Sequence, residues 1–112
     1  MNKGKVSLLD AIEKLKQESG KTFTVLMKHG TMSVEYFSPP KIDTQSAHEQ
    51  DELYVIARGH GKLNRNFEII ECKAGDVLFV PAGMEHRFEN FSDDFATWVI
   101  FYGPGGGEKE SE

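Results

Sequence analysis

The stretch at residues 75–90, GDVLFVPAGMEHRFEN, constrains the possible folds more than any other part of the chain. It opens with a Gly-Asp turn, and residues 77–80 then form a short apolar run rich in β-forming side chains. Pro81 and Gly83 end that strand, because proline cannot donate to a β-ladder and glycine permits a positive φ. A second strand follows and begins near His86. A histidine held at this corner can direct one ring nitrogen into the interior of a β-structure.

The length and charge of the chain limit what it can be. A chain of 112 residues can form one domain with one core. Its 11 glycines and 8 phenylalanines, with few long periodic apolar stretches, favour a β-rich fold. The formal net charge is −5, and the basic residues form no cluster. Nucleic acid and anionic membranes are therefore excluded as main partners, since binding phosphate requires a basic surface.

The only cysteine is Cys72, which rules out an intrachain disulfide and favours a reducing compartment. Its alternating surroundings indicate a small core or sheet residue rather than a reactive thiol. We find neither a signal-like N-terminal pattern nor an apolar run long enough to span a bilayer. The expectation is a soluble cytoplasmic protein.

The pattern divides the chain into three parts. Residues 1–21 form an N-terminal segment with the one convincing helix, at residues 7–19, which Ser7 can cap. Residues 22–103 have the period-two patterning and tight turns of about eight short strands, which predict a β-sandwich or small barrel. Residues 104–112 are glycine-rich and then charged, and are expected to be disordered.

A candidate metal site comes from the residues at the start of the strongest strand pattern, which covers residues 51–58. If this strand extends back to His48, one of its faces carries every second residue, and the apolar members suggest that it points inward. The residues on that face are His48, Gln50, Glu52, Tyr54 and Ile56. A buried carboxylate beside a buried histidine is costly unless a positive charge neutralises it, and a divalent cation does so directly.

His86 would complete the site as a third ligand if its strand is adjacent. Two neutral imidazoles and one carboxylate hold one face of an octahedral metal and leave positions for water or substrate. The alternative is that His48 and Glu52 form a buried hydrogen-bonded pair while His86 is a core histidine. Spacing by itself leaves both possibilities open.

The two segments together resemble the cupin superfamily. Gly75-x5-Pro81-x-Gly83-x2-His86-x3-Asn90 matches the second cupin motif, and His48-x3-Glu52-x6-Gly59 matches the later half of the first. The resemblance identifies the chain as similar to a small single-domain cupin of the conserved-barrel type. It implies an all-β fold, the cupin double-stranded β-helix (jelly-roll barrel), over residues 22–103, with a short N-terminal helix before it.

The resemblance also implies one bound divalent transition metal (Fe, Mn, Ni, Zn or Cu) held by His48, Glu52 and His86. Cupins typically use three histidines and one glutamate, and this chain has Ser46 where the first motif has its first histidine. Ser46, Gln45 and Gln50 are therefore possible additional ligands or partners of the ligands.

Three functions remain open. The first is a metal-dependent enzyme (dioxygenase, isomerase or decarboxylase) that acts on a small substrate chelating through two oxygens. The second is a non-catalytic metal-binding or small-ligand-binding module, and the third is a structural barrel. The resemblance and the need to protect edge strands suggest a homodimer. Candidate pocket walls are Met32, Tyr36, Tyr54, Phe88 and Trp98.

The alternation of apolar and polar residues predicts which side chains are buried and which face solvent. Met32, Val34 and Tyr36 alternate with Ser33 and Glu35, as in a strand with one buried face. The four charged residues next to the proposed ligands have the opposite parity and are expected to face solvent. They are Glu49, Asp51, Glu85 and Arg87.

Overall fold

The computed structural model describes residues 4–110, which contain one helix and eight strands. The elements are α1 (Leu8–Gln17), β1 (Phe23–His29), β2 (Met32–Phe37), β3 (Asp51–Arg58), β4 (His60–Arg65), β5 (Glu68–Lys73), β6 (Val77–Val80), β7 (His86–Glu89) and β8 (Ala96–Tyr102). The mostly-β fold with a short N-terminal helix confirms the predicted fold class. No helix within residues 4–110 is long and apolar enough to cross a bilayer.

A capping box begins α1. The Ser7 Oγ accepts a 3.0 Å hydrogen bond from the Asp10 amide, and the Asp10 carboxylate accepts one of 3.2 Å from the Ser7 amide. These bonds satisfy amides that have no partner inside the helix. The helix ends at Gln17, two residues before the predicted boundary.

The strands form two antiparallel sheets. The larger has the order β1-β2-β8-β3-β6 and the smaller the order β5-β4-β7. The sheets do not close into a continuous barrel, but their arrangement is consistent with the cupin jelly roll. β3 lies next to β6 and β8, and β7 pairs with β4. The strand that carries Glu52 and the strand that carries His86 therefore belong to opposite sheets.

Both faces of the larger sheet are covered. The buried face predicted for β2 therefore packs against the helix instead of the core between the sheets. The inner face packs on the core between the sheets, and α1 covers the outer face. Tyr36 and Trp98 lie on the outer face beneath α1, with ring centroids 5.7 Å apart. The prediction that they line the pocket is wrong, because apolar side chains here fill the helix–sheet layer. Glu35 has the opposite parity and faces inward.

Residues 104–110 contact the sheets, unlike the disordered tail that the composition predicts, and the last two residues of that tail lie outside the described residues. The Gly106 amide donates a 2.7 Å hydrogen bond to the Glu49 carbonyl, and the Glu108 amide donates one of 2.8 Å to the Asp51 carboxylate. Asp51 also accepts a 2.9 Å bond from the Ala82 amide and is buried, which corrects its predicted solvent exposure. These two amides lower the pKa of Asp51, although burial opposes them.

Candidate metal centre

Three elements converge on the candidate centre. Glu52 is the second residue of β3 and is 1% exposed, while His86 is the first residue of β7 and is 4% exposed. His48 lies in the loop before β3 and is half-buried. The Gly83 amide donates a 2.8 Å hydrogen bond to the His48 carbonyl, and Gly83 has a φ of +80° that favours glycine. The corner of the second motif thus holds the histidine of the first.

The three side chains offer ligand atoms within 4.8 Å of one another. His86 Nε2 lies 2.9 Å from Glu52 Oε1, and His48 Nε2 lies 3.9 Å from the same oxygen. The two imidazole centroids are 5.1 Å apart. The distance from His48 to Glu52 is too long for a hydrogen bond, so these residues do not form the buried hydrogen-bonded pair considered above.

The Met84 carbonyl determines how His86 is presented. His86 Nδ1 lies 2.9 Å from this carbonyl oxygen, which can only accept, so Nδ1 carries the proton and donates. In the neutral ring, Nε2 then keeps its lone pair and faces Glu52. Burial lowers the pKa of His86, but the Glu52 carboxylate and the Met84 carbonyl outweigh it, and the pKa is raised overall.

The polar atoms at the centre fit a divalent cation. Both Glu52 carboxylate oxygens and His86 Nε2 are buried without a hydrogen-bond partner in the described part of the chain. Glu52 Oε1 and His86 Nε2 lie 2.9 Å apart, so they form a buried ion pair only when His86 is protonated. A metal with ligands at about 2.1 Å separates neighbouring donors by roughly 3 Å. The 2.9 Å between His86 and Glu52 matches this separation, and the 3.9 Å between His48 and Glu52 is wider. Imidazole and carboxylate donors in this number suit first-row transition metals.

Of the three possible additional residues, Gln45 contacts the ligand group, and Ser46 and Gln50 do not. Its Oε1 lies 3.2 Å from His48 Nε2 and accepts a 3.2 Å hydrogen bond from the Tyr54 hydroxyl. Ser46 is exposed. Gln50 donates to the Thr31 and Gly103 carbonyls, both at 2.9 Å, and so points away from the centre. The strand begins only at Asp51, so parity does not extend back to Gln50.

Sequence reasoning missed Asp43, which organises the loop beside the centre. This residue is 4% exposed, and its Oδ2 accepts hydrogen bonds from the Phe88 amide at 2.8 Å and from Gln45 Nε2 at 2.6 Å. Its Oδ1 accepts a 3.2 Å bond from the Gln45 amide. One carboxylate thus ties Gln45 to the strand that carries His86. An isolated aspartate in a polar loop gave no periodic signal.

A cavity of about 430 Å³ opens beside the centre, and its wall includes His48 and Glu52. The rest of the wall consists of Thr22, Phe23, Glu35, Phe37, Pro40, Asp43, Thr44, Gln45, Val99 and Phe101. Of the predicted wall residues, Tyr54 and Phe88 lie in the core next to the centre, with the Tyr54 ring 6.0 Å from the His86 ring. Met32 lies opposite His29 at the far end of the β1–β2 hairpin and does not line this cavity.

Two ionisable groups on the cavity wall have shifted pKa values. Burial and the nearby Glu52 charge raise the pKa of Glu35, and the exposed Lys28 opposes them. Burial lowers the pKa of His48, with Glu52 acting in the opposite direction. A neutral His48 is the form that can donate a lone pair to a metal.

The amino-acid sequence is similar to those of proteins from several organisms. It is 29% identical over 98 residues to an uncharacterised protein of Streptomyces coelicolor, covering 86% of this chain and 93% of that protein. It is 31% identical over 101 residues to acireductone dioxygenase 1 of Pectobacterium atrosepticum, covering 85% of this chain and 58% of the relative. An acireductone dioxygenase of Leishmania infantum is 40% identical over 60 residues, which is 48% of this chain and 17% of the relative.

Solved structures and a family model identify the fold family. A protein from Photorhabdus luminescens aligns with a TM-score of 0.63 at 19% identity, covering 72% of this chain and 73% of the other. A cupin 2 conserved barrel protein from Salinispora arenicola aligns with a TM-score of 0.62 at 19% identity, covering 72% and 74%. Residues 33–102 match the model of the Cupin_2 family, described as the cupin domain. The chain belongs to the cupin family.

Proposed function

We propose that this cupin binds one divalent transition metal through His48, Glu52 and His86 and acts on a small substrate that chelates the metal through two oxygens. The observation that carries the proposal is the convergence of three ligand atoms, among them a buried Glu52 oxygen, beside a cavity. Three protein ligands leave coordination positions for a chelating substrate. Fe, Mn, Ni, Zn and Cu all accept this ligand type. Which of them is bound in the cell depends on the geometry of the site and on the availability of each metal.

The residues next to the three ligands and on the cavity wall would each have a role in turnover. The Met84 carbonyl holds the His86 tautomer, and the Gln45 side-chain oxygen lies beside His48 Nε2. Phe37 and Phe101 give the cavity part of its apolar wall. The bound metal would supply Lewis acidity to the chelating oxygens and, if iron, the capacity for reaction with O₂.

The names of the relatives favour one reaction type within this class. Two of them are acireductone dioxygenases, so a dioxygenase acting on a small enediol-type substrate is the first reaction to test. Isomerases and decarboxylases of this kind use the same Lewis acidity and remain within the proposal.

Metal analysis of protein purified without chelators tests the ligands. We expect up to one transition metal per chain, and loss of that metal in His86→Ala and Glu52→Ala. His29→Ala and His60→Ala are matched controls, because both histidines are exposed and lie outside the ligand group. Wild-type protein that stays metal-free, with a thermal midpoint unaffected by Fe, Mn, Ni, Zn or Cu, would contradict the proposal.

Oxygen uptake by the iron-loaded protein with a panel of enediols and 1,3-dicarbonyls tests catalysis separately. Uptake that requires both the substrate and an intact Glu52 supports the dioxygenase reaction. Metal binding without turnover on this panel would favour the second candidate, a non-catalytic metal-binding or small-ligand-binding module. The observation that favours this candidate is the ligand group itself, in which an amide at Gln45 adjoins two histidines and a glutamate.

The proposal includes a cytoplasmic homodimer. Edge strands β1 and β6 of the larger sheet, and exposed apolar side chains such as Val77 and Phe79 on β6, support self-association. Sedimentation at micromolar concentration should show a species of twice the chain mass. A single species near 12.6 kDa would refute the dimer.

A further inference from the structure

The charge of the cavity wall restricts what can bind there. Three carboxylates line the cavity, from Glu35, Asp43 and Glu52, and none of the described lining residues is lysine or arginine. Glu52 belongs to the ligand group, and Asp43 accepts hydrogen bonds from Gln45 and Phe88. Glu35 is the remaining carboxylate on the wall, and neither of these tasks uses it.

Strand register places Glu35 at a useful distance from the metal ligands. Glu35 lies opposite Val99 on β8, and Glu52 lies opposite Phe101 on the other side of the same strand. Their Cα atoms are thus two strand spacings and two residues apart, on the order of 12 Å. Both face the same cavity, so a small molecule chelated near Glu52 can extend to the Glu35 carboxyl group.

The surface between these two points is largely apolar. Phe37, Val99 and Phe101 line the cavity together with Phe23. Burial and Glu52 both raise the pKa of Glu35, and the charge of Lys28 opposes them. Such an environment disfavours a second anion and accepts a hydroxyl or ammonium group.

We propose that Glu35 is a specificity-determining residue that contacts the distal hydroxyl or amino group of the substrate, so that the cavity selects molecules with no negative charge beyond their chelating oxygens. The inference rests on the proposed function, since chelation at the metal fixes the other end of the substrate. It excludes phosphorylated sugars and dicarboxylates as substrates. The substrate class is a neutral or cationic chelator with a short apolar body.

A matched series of hydroxamates tests this selectivity, because each chelates a metal through the same two oxygens. The probes are benzohydroxamate, its 4-aminomethyl derivative and its 4-carboxy derivative, titrated calorimetrically into the Zn²⁺-loaded full chain. We expect the carboxy derivative to bind at least tenfold more weakly than the other two. In Glu35→Gln this difference should fall to threefold or less, whereas Glu13→Gln, an exposed charge change on α1, should leave it unchanged.

Acetohydroxamate, which carries no ring, separates this inference from the proposed function. If it fails to bind the Zn²⁺-loaded protein, no open metal position exists, and both proposals fall. If it binds, but the carboxy derivative binds as tightly as the aminomethyl derivative, only the role of Glu35 is overturned. The same conclusion follows if Glu35→Gln retains the full discrimination while its circular dichroism and Zn²⁺ affinity match those of the wild type.

Discussion

The side-chain oxygen of Gln45 lies 3.2 Å from Nε2 of His48. This contact places an amide beside the histidine ligand. Imidazole is a stronger donor than an amide oxygen for transition metals of this class. The position is therefore occupied by a side chain that orients a ligand but contributes little binding strength of its own.

Replacing Gln45 by histidine should strengthen metal binding. A histidine at this position adds an imidazole next to His48 and Glu52, and we expect the Zn²⁺ dissociation constant to fall by about tenfold or more, comparable to the effect of partner residues on metal sites. Competition with a chromogenic chelator measures the change.

Ser46→His is the matched control, because Ser46 occupies the motif position but is exposed. It should leave the dissociation constant within a factor of two. If Ser46→His strengthens binding and Gln45→His does not, the loop conformation described here is not the one that binds metal.

Glu52→Gln should separate the stability of the metal-free protein from its response to metal. Glutamine keeps the shape of the buried side chain but removes a carboxylate whose oxygens have no hydrogen-bond partner. At a pH where His86 is neutral, we expect the metal-free variant to be at least as stable as the wild type. At a metal concentration of 100 times the dissociation constant, the wild type should gain about 2.7 kcal/mol and the variant none.

Urea unfolding with and without Zn²⁺ measures both quantities. A metal-free variant that is strongly destabilised would show that Glu52 stabilises the fold without metal. A variant that keeps the full Zn²⁺ response would remove Glu52 from the ligand group.

Asp43→Asn should weaken both the fold and the centre. The substitution places an amide next to the Phe88 amide and the Gln45 side chain, both of which donate to this carboxylate. Loss of charge-assisted bonds at a buried site should cost about 1–3 kcal/mol of unfolding free energy. Because Asp43 acts through Gln45 and through the strand of His86, we expect metal affinity to fall 10- to 100-fold.

The matched control is Asp93→Asn, at an exposed position on the loop before β8. It should change neither quantity measurably. Unfolding curves and Zn²⁺ titration of the two variants check the prediction, and equal behaviour would contradict the role assigned to Asp43.

The pattern of residues predicted the parts of the centre that lie on regular strands. Glu52, Tyr54 and Ile56 face inward as the period of two requires, and His86 follows the predicted corner. The same rule failed at Gln50, because β3 begins one residue later and the chain before it turns away. His48 joins the ligand group through a backbone bond from Gly83 rather than through strand parity.

Other features depended on tertiary structure and had no local signal. An alternating apolar pattern shows that a strand has two different faces, but it does not show which face meets the core and which meets a helix. Tyr36 and Trp98 pack under α1 for this reason, and Glu35 points into the cavity. Asp43 accepts a hydrogen bond from the Phe88 amide, 45 residues away in the sequence, and no spacing rule predicts such a contact.

Cys72 should make the stability of the protein sensitive to alkaline pH. Burial raises the pKa of Cys72 to about 11, with a further contribution from Asp76, although an interaction with the Gly61 backbone opposes both. In the unfolded chain the thiol loses its proton near pH 8.5, roughly the value for a free cysteine. Between these two values the folded state holds a proton that the unfolded state has released, so a rising pH favours unfolding.

The contribution of this thiol is thus fully present below about pH 8.5 and lost as the pH rises to about 11. Cys72→Ala removes the titrating group, so the urea midpoint of the wild type should fall more steeply from pH 8 to pH 10.5 than that of the variant. Comparing the two proteins under reducing conditions cancels the lysine and tyrosine titrations that they share. Parallel pH profiles would show that the thiol ionises with the same pKa in the folded and unfolded states.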